Sequence, residues 1–188
     1  TTNNSKFFKI MKTLKNHGMI RKKSRKSKHN WRYKIIMPGY NFRLSDVNCA
    51  LGMSQLKRLD ELVRSRRKIA KVYIDNLKSF TSYVSLPKVK MRRSAFHLFI
   101  VNFNLKRLKV SRDQIIQFLY KHNISTQVHY IPINSHPYYK KYSNIKLAGA
   151  NNYFNSCLSL PLYPDLKNSQ VNYICNKIKS LIVKYKKN

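Results

Sequence analysis

The chain has 188 residues, enough for one domain with a hydrophobic core, or for a domain with part of a second. Its 39 Lys and Arg residues against 6 Asp and Glu residues give a formal net charge of +33. No apolar run reaches the roughly 18 residues that a spanning helix needs, which excludes a membrane-spanning helix by sequence.

The positive charge has two interpretations. One is binding to nucleic acid or to an anionic membrane surface. The other is compositional drift, because Lys, Asn, Ile and Tyr are all abundant and AT-rich codons favour them. We favour drift on a solvated surface, since the lysines are spread along the whole chain. No pattern of a common nucleic-acid module is present, and a polyanion would still bind weakly and salt-dependently through charge alone.

The three cysteines form no CxxC pair and no metal-ligand spacing. Each lies in an apolar pattern, so we predict that Cys49, Cys157 and Cys175 are small buried thiols, as suits a reducing cytoplasm. The chain begins with Thr1 rather than Met, and no signal peptide is visible. We therefore expect a cytoplasmic protein whose sequence is a fragment or a processed product.

The first predicted element is a helix. Ser5 can cap it, an apolar stripe runs along it to about His17, and Gly18 is a natural left-handed stop. A basic segment, RKKSRKSKH at 21–29, follows without apolar periodicity. It is either an ordinary surface loop or a site for a nucleotide diphosphate or nucleic acid.

Residues 39–46 read GYNFRLSD and form a short extended segment before a helix. Alternation places Asn41 and Arg43 on one face and the apolar side chains of this segment on the other. Ser45 is a good N-cap for the helix. A guanidinium beside an amide suits a phosphate. The residues alone leave open a second interpretation, in which Arg43 is a surface arginine and Asn41 a turn residue.

Two helices are predicted next. The first carries apolar residues from Val47 to Leu56, and the second runs from about Leu59 to Leu77 with a 3.6-residue apolar period. Asp60 and Arg64 can pair at i,i+4 on the second helix. We predict that its basic residues form a solvated face rather than a nucleic-acid site: Arg64, Arg66, Arg67 and Lys68.

The remaining chain predicts a small α+β layer. Expected strands cover 95–104 and 125–129, and a capping box of Ser111 and Gln114 opens a helix that ends near His122. Asn123 is a left-handed stop. Further helices are predicted at 147–157 and from about Ser169 onward, the last one buried through Val171, Ile174, Ile178, Leu181 and Tyr185.

The segment HYIPINSHPYY at 129–139 reads as a loop. It holds two histidines, which raises the question of a metal site. No third ligand lies at a useful spacing, so we predict no metal here or elsewhere in the chain.

Three segments resemble one family, the DegT/DnrJ/EryC1/StrS sugar aminotransferases, which use pyridoxal phosphate (PLP). They are GYNFRLSDVNCALGMSQLKRLD at 39–60, the loop at 129–139, and SLPLYPDL at 159–166. The resemblance implies that Asn41 and Arg43 reach across a dimer interface to the cofactor phosphate of the other subunit. His129 and Tyr130 either contact the sugar nucleotide or only pack the loop. Gln127 and Val128 bring the chain nearest to the subgroup that makes 4-amino-4,6-dideoxy nucleotide sugars.

The fold implied is α/β, namely the C-terminal part of a fold-type I PLP-dependent transferase. Residues 1–44 would belong to the large cofactor domain, 45–79 to long linking helices, and 80–188 to a small C-terminal α+β domain. The family's Schiff-base lysine lies before the matching region, so no catalytic residue is assigned and we expect the chain alone not to transaminate. Expected partners are a second copy or a lysine-bearing chain, together with a nucleotide sugar. The alternatives are a non-catalytic remnant and a basic nucleic-acid binder.

Overall fold

In the computed structural model, residues 1–20, 33–140 and 147–187 are described. They divide into two compact units, Thr1–Lys57 and Arg58–Asn188. The basic segment 21–29 falls outside the described residues. By this division the two helices that were expected to link domains belong to different units.

The first unit contains two helices and a two-stranded sheet. Helix α1 is Ser5–Leu14, strands β1 and β2 are Met19–Ile20 and Lys34–Ile35, and helix α2 is Asp46–Lys57. The strands are antiparallel, with Met19 opposite Ile35. The cap of α1 is Asn4 rather than the predicted Ser5, because its Oδ1 accepts hydrogen bonds from the backbone N–H groups of Lys6 and Phe7.

The turn after α1 depends on a glycine. The helix ends at Leu14, about one turn earlier than predicted, and His17 and Gly18 follow with φ of 55° and 66°. A Cβ on Gly18 would lie 1.8 Å from the carbonyl oxygen of Met37. The left-handed conformation predicted for Gly18 is confirmed, and the close approach of a second backbone segment adds a steric reason for glycine.

Helix α2 begins as predicted. The N–H of Asn48 donates to Oγ of Ser45 at 3.3 Å, so Ser45 caps the helix that starts at Asp46. No residue of α2 is buried within this chain. The prediction that Cys49 is a buried thiol is therefore wrong for this structure, whereas Cys157 and Cys175 are buried as predicted.

The second unit is built on a three-stranded antiparallel sheet in the order β3–β4–β5. The strands are Val84–Ser85, Phe99–Phe103 and Cys157–Leu160, with Phe99 opposite Leu160. The helices are α3 (Leu59–Leu77), α4 (Arg112–Lys121), α5 (Pro137–Lys140), α6 (Ala148–Ser156) and α7 (Asn168–Tyr185). The core consists of apolar residues of α3, α4, α7 and the sheet, including Tyr73, Leu77, Phe99, Ile115, Leu119, Leu158, Ile178 and Leu181.

The helix signals of this unit proved reliable. Helix α3 has the predicted bounds, and the capping box of α4 is present in both directions between Ser111 and Gln114. Asn123 has a φ of 59°, as expected for a left-handed stop. Every residue predicted to bury α7 is buried except Tyr185, which is half-buried.

The strand predictions need correction. The strand predicted at 95–104 covers only Phe99–Phe103, and the one predicted at 125–129 is a single bridge between Gln127 and Ser159. The predicted helix 147–157 ends at Ser156, and Cys157 opens strand β5 instead. Such short strands are defined by hydrogen bonds to distant segments, so local periodicity carries little information about them.

Two arginines of α3 are not part of a solvated face, contrary to the prediction. Nη1 of Arg66 donates to the carbonyl oxygens of His97 and Leu162 at 3.2 and 3.0 Å. Arg67 donates to the carbonyls of Ser94 and Arg92, each at 2.8 Å. Both side chains are half-buried and hold loops. Arg64 is exposed, and its Nε donates to the backbone oxygen of Asp60 rather than to the carboxylate.

Candidate functional site

The candidate phosphate site is built by backbone pairing between the turn after α1 and the segment before α2. The N–H of His17 donates to the carbonyl of Tyr40 at 2.9 Å, and the N–H of Phe42 donates to that of Lys15 at 3.0 Å. Between these two bonds, Asn16 and Asn41 form an antiparallel bridge. They thus form a non-hydrogen-bonded pair, in which the opposite side chains lie closer together than in a hydrogen-bonded pair.

The polar face of this pairing carries Asn16, Asn41 and Arg43. Nη2 of Arg43 donates to Oδ1 of Asn16 at 2.6 Å. Asn41 and Arg43 are exposed, and Asn16 is half-buried. Residues 41 and 43 are two apart on an extended segment, so both lie on the face that also holds Asn16. The structure therefore brings the two predicted phosphate-binding residues together.

The opposite face is aromatic. The rings of Tyr40 and Phe42 stack with centroids 4.7 Å apart and planes within 1° of parallel. Together with α1 they border an open cavity of about 610 Å³, which is lined by Phe8, Met11, Lys12, Leu14, Lys15, Tyr40 and Phe42. The alternation predicted from sequence thus gives one short segment a polar face and an apolar face.

The donors on the polar face suit a phosphate. A guanidinium offers five N–H groups in a planar fork, and the bond to Asn16 uses only one of them. A neutral amide acceptor orients the guanidinium without cancelling its charge. An exposed, oriented cation next to a second amide can hold a dianionic phosphate through charge-assisted hydrogen bonds.

The second predicted pair lies in the other unit. Nδ1 of His129 is hydrogen-bonded to Oγ of Ser159 at 2.7 Å, which ties the loop to strand β5. Gln127 also pairs with Ser159 through both backbone bonds. The rings of His129 and Tyr130 meet edge to face at 4.6 Å, and Tyr130 is 73% exposed. His129 therefore has a fixed position in the fold, whereas the phenol of Tyr130 faces solvent.

Asn16 and Ser159 were not predicted from the sequence. Each contacts a predicted site residue from a distant part of the chain, 27 and 30 residues away. A signal for Asn16 was present in the left-handed turn at Gly18, since a tight turn returns the chain toward a neighbouring segment. Ser159 had a weaker signal, as a polar residue between the apolar Leu158 and Leu160.

The buried thiols are not candidate nucleophiles. Burial raises the pKa of Cys175 to about 12, with a small opposing effect from Lys179. Burial also raises the pKa of Cys157, and Arg112 only partly offsets this. Both thiols are therefore protonated at neutral pH, and only a thiolate is an effective nucleophile.

Two absences concern only the part of the chain that the structure describes. No group of three or more His, Cys, Asp or Glu side chains is arranged to hold a metal ion there. In the same residues, no helix is both long and apolar enough to cross a membrane.

Sequence and structure comparisons agree on one class of protein, the sugar aminotransferases. Residues 1–179 match the DegT/DnrJ/EryC1/StrS aminotransferase family, so the chain belongs to this family. It is 30% identical over 188 residues to the UDP-4-amino-4,6-dideoxy-N-acetyl-beta-L-altrosamine transaminase of Campylobacter jejuni. That match covers 99% of this chain and 48% of the relative.

Solved structures of aminotransferases are also similar to this chain. PseC of Helicobacter pylori, an aminotransferase of pseudaminic acid biosynthesis, is 28% identical with a TM-score of 0.84, over 97% of this chain and 48% of PseC. The PLP form of Spr1654 from Streptococcus pneumoniae is 27% identical with a TM-score of 0.80, over 97% and 45% of the two chains. The predicted α/β class of a PLP-type transferase is confirmed. The chain spans about half the length of the relatives it matches.

Proposed function

We propose that this chain supplies the cofactor-phosphate site of a PLP-dependent aminotransferase that acts on a nucleotide-linked keto sugar. In this proposal Asn41 and Arg43 bind the phosphate of the cofactor. The substrate would be converted to a 4-amino-4,6-dideoxy nucleotide sugar, in line with the reaction class named for the Campylobacter relative.

One observation carries the proposal. Arg43 is exposed, yet its guanidinium is fixed by a 2.6 Å hydrogen bond within a paired backbone segment. Ordering a surface arginine costs rotamer entropy, so a guanidinium that is already held presents its remaining N–H groups to a ligand at a lower entropic cost. The polar face carries two amides and one guanidinium, and these groups can donate hydrogen bonds to the oxygens of a phosphate.

The cofactor, when bound, supplies the electron sink for amino transfer. The residues of this chain contribute binding and orientation. Arg43 and Asn41 would anchor the phosphate and so limit the positions that the cofactor can take in the site. We further propose that the lysine that carries the cofactor belongs to a segment or partner chain other than these 188 residues, and that the 188 residues alone do not transaminate.

The loop with His129 and Tyr130 is proposed to face the nucleotide sugar. His129 is held by Ser159, which is only 5% exposed, and this gives its ring a defined direction. Tyr130 offers an exposed phenol that can stack on a sugar or donate to its hydroxyl groups. The purely structural interpretation, in which both side chains only pack the loop, fits His129 better than the exposed Tyr130.

The exposed apolar residues of helix α2 support the proposal of a protein partner. A helix with apolar residues around its whole circumference is normally covered by other protein. Such residues are exposed along α2, with Val47 at 79% and Leu56 at 68%. We propose that a second copy of the chain, or the lysine-bearing partner, covers this helix.

The proposal is tested with pyridoxamine 5′-phosphate and pyridoxamine, which lack the aldehyde and cannot form adducts with the many lysines. Equilibrium dialysis at fixed ionic strength gives the affinity ratio of the two ligands. The unmodified chain is expected to prefer the phosphorylated ligand. R43A should reduce that affinity by about tenfold or more and leave pyridoxamine binding unchanged.

Two variants control for charge. R43K keeps the positive charge but loses the fork, and it should retain part of the preference. R64A removes one exposed arginine of the second unit and should retain all of it. If R43A binds both ligands as the unmodified chain does, Arg43 does not hold the phosphate and the proposed function is wrong.

A further inference from the structure

Asn16 has a position that no family motif suggested. It is half-buried, and its Oδ1 accepts the hydrogen bond from Nη2 of the exposed Arg43 at 2.6 Å. Its backbone lies directly opposite Asn41. One asparagine thus contacts the arginine of the candidate phosphate site and faces the asparagine of that site.

The backbone around Asn16 has little freedom to move. A Cβ on Gly39 would lie 2.1 Å from the backbone nitrogen of Gly18, so the two segments touch along their main chains. The N–H of Tyr40 donates to the carbonyl of Leu14 at 2.7 Å, and the N–H of Ile36 donates to that of Gly18 at 3.0 Å. These bonds lie on both sides of Asn16 and hold its backbone, from which the side-chain amide extends to Arg43.

A fixed hydrogen-bond acceptor can orient the side chain of a flexible arginine. An exposed arginine populates many rotamers, and a ligand that must select one of them binds more weakly than a ligand that meets an oriented group. An amide oxygen orients the guanidinium through one N–H. It leaves the charge intact, whereas a carboxylate at the same place would compete with a phosphate for that charge.

We propose that Asn16 is a positioning residue, whose Oδ1 orients the guanidinium of Arg43 toward the phosphate before the ligand binds. This inference rests on the proposed function, since it assigns Asn16 a role only through Arg43. It predicts that Asn16 contributes to phosphate binding when Arg43 is present and contributes nothing when Arg43 is absent.

The test is a double-mutant cycle on the full chain with N16A, R43A and the double variant. Equilibrium dialysis measures the affinity ratio of pyridoxamine 5′-phosphate to pyridoxamine for each. N16A should lower the ratio about threefold in the unmodified background and leave it unchanged in the R43A background. An equal loss in both backgrounds, or no loss in either, overturns the inference. A ratio that R43A itself does not change refutes the proposed function, and the inference with it.

A destabilised turn could mimic the effect, so a matched asparagine serves as the control. N4A removes the cap of α1, which should destabilise that helix without any contact to Arg43. Its phosphate preference should equal that of the unmodified chain, and a loss like that of N16A would overturn the inference. If N16A fails to fold, N16S gives the same test, because serine keeps a polar group but lacks the amide oxygen that accepts from Nη2 of Arg43.

Discussion

Gly18 shows how one residue shapes the candidate phosphate site. Its φ of 66° and the nearby carbonyl of Met37 both exclude a side chain. The turn it forms places Asn16 opposite Asn41, and this pairing sets the polar face that holds Arg43. The arrangement of the polar side chains thus depends on the backbone conformation that Gly18 allows.

G18A should therefore destabilise the first unit by more than about 1 kcal/mol, because the new methyl group meets backbone that cannot rotate away. Chemical denaturation followed by circular dichroism measures the change. G52A is the matched control: a Cβ there meets nothing within 4 Å, and the position lies within α2. It should stabilise that helix by up to about 1 kcal/mol. Equal effects of the two substitutions would contradict the steric account.

Prediction at the residue scale succeeded where the signal was local. The alternation at residues 40–43 predicted that Asn41 and Arg43 share a face, and short motifs predicted the capping box of α4 and the left-handed stops at Gly18 and Asn123. Asn16 could not be identified in this way, because its contact with Arg43 depends on a turn that brings distant residues together.

At the scale of elements, helices were predicted better than strands. The bounds of α3 follow from a period of 3.6 residues over 19 positions, which few alternative structures share. Strand β5 has four residues, all buried, and its identity depends on pairing with β4. Residues buried on both faces show no alternation, so β5 was not predicted, and its first residue, Cys157, was placed at the end of a helix.

Helix α2 exposes an apolar surface that we propose a protein partner covers. L51E and L56E would each place a charge where the proposal expects protein contact, at side chains 60% and 68% exposed in this chain. Sedimentation velocity should show loss of self-association, or loss of the complex with a lysine-bearing chain. V183E, at an exposed position of α7, serves as the control and should leave assembly unchanged. Unaltered assembly in both α2 variants would remove α2 from the interface.

At the scale of the whole molecule, charge and family membership suggest different functions. A charge of +33 would suit a polyanion binder. The half-buried Arg66 and Arg67 are engaged with backbone carbonyls, so part of the basic composition has a structural role. Family membership over residues 1–179 is the more specific guide to function.

The central claim is that Arg43 holds the cofactor phosphate, and a crystal structure of the chain with pyridoxamine 5′-phosphate tests it most directly. We expect phosphate oxygens about 2.7–2.9 Å from the guanidinium nitrogens of Arg43, with Asn41 as a second donor and Asn16 still bound to Nη2. A phosphate bound elsewhere, with the polar face of residues 41 and 43 turned to solvent, would contradict the account.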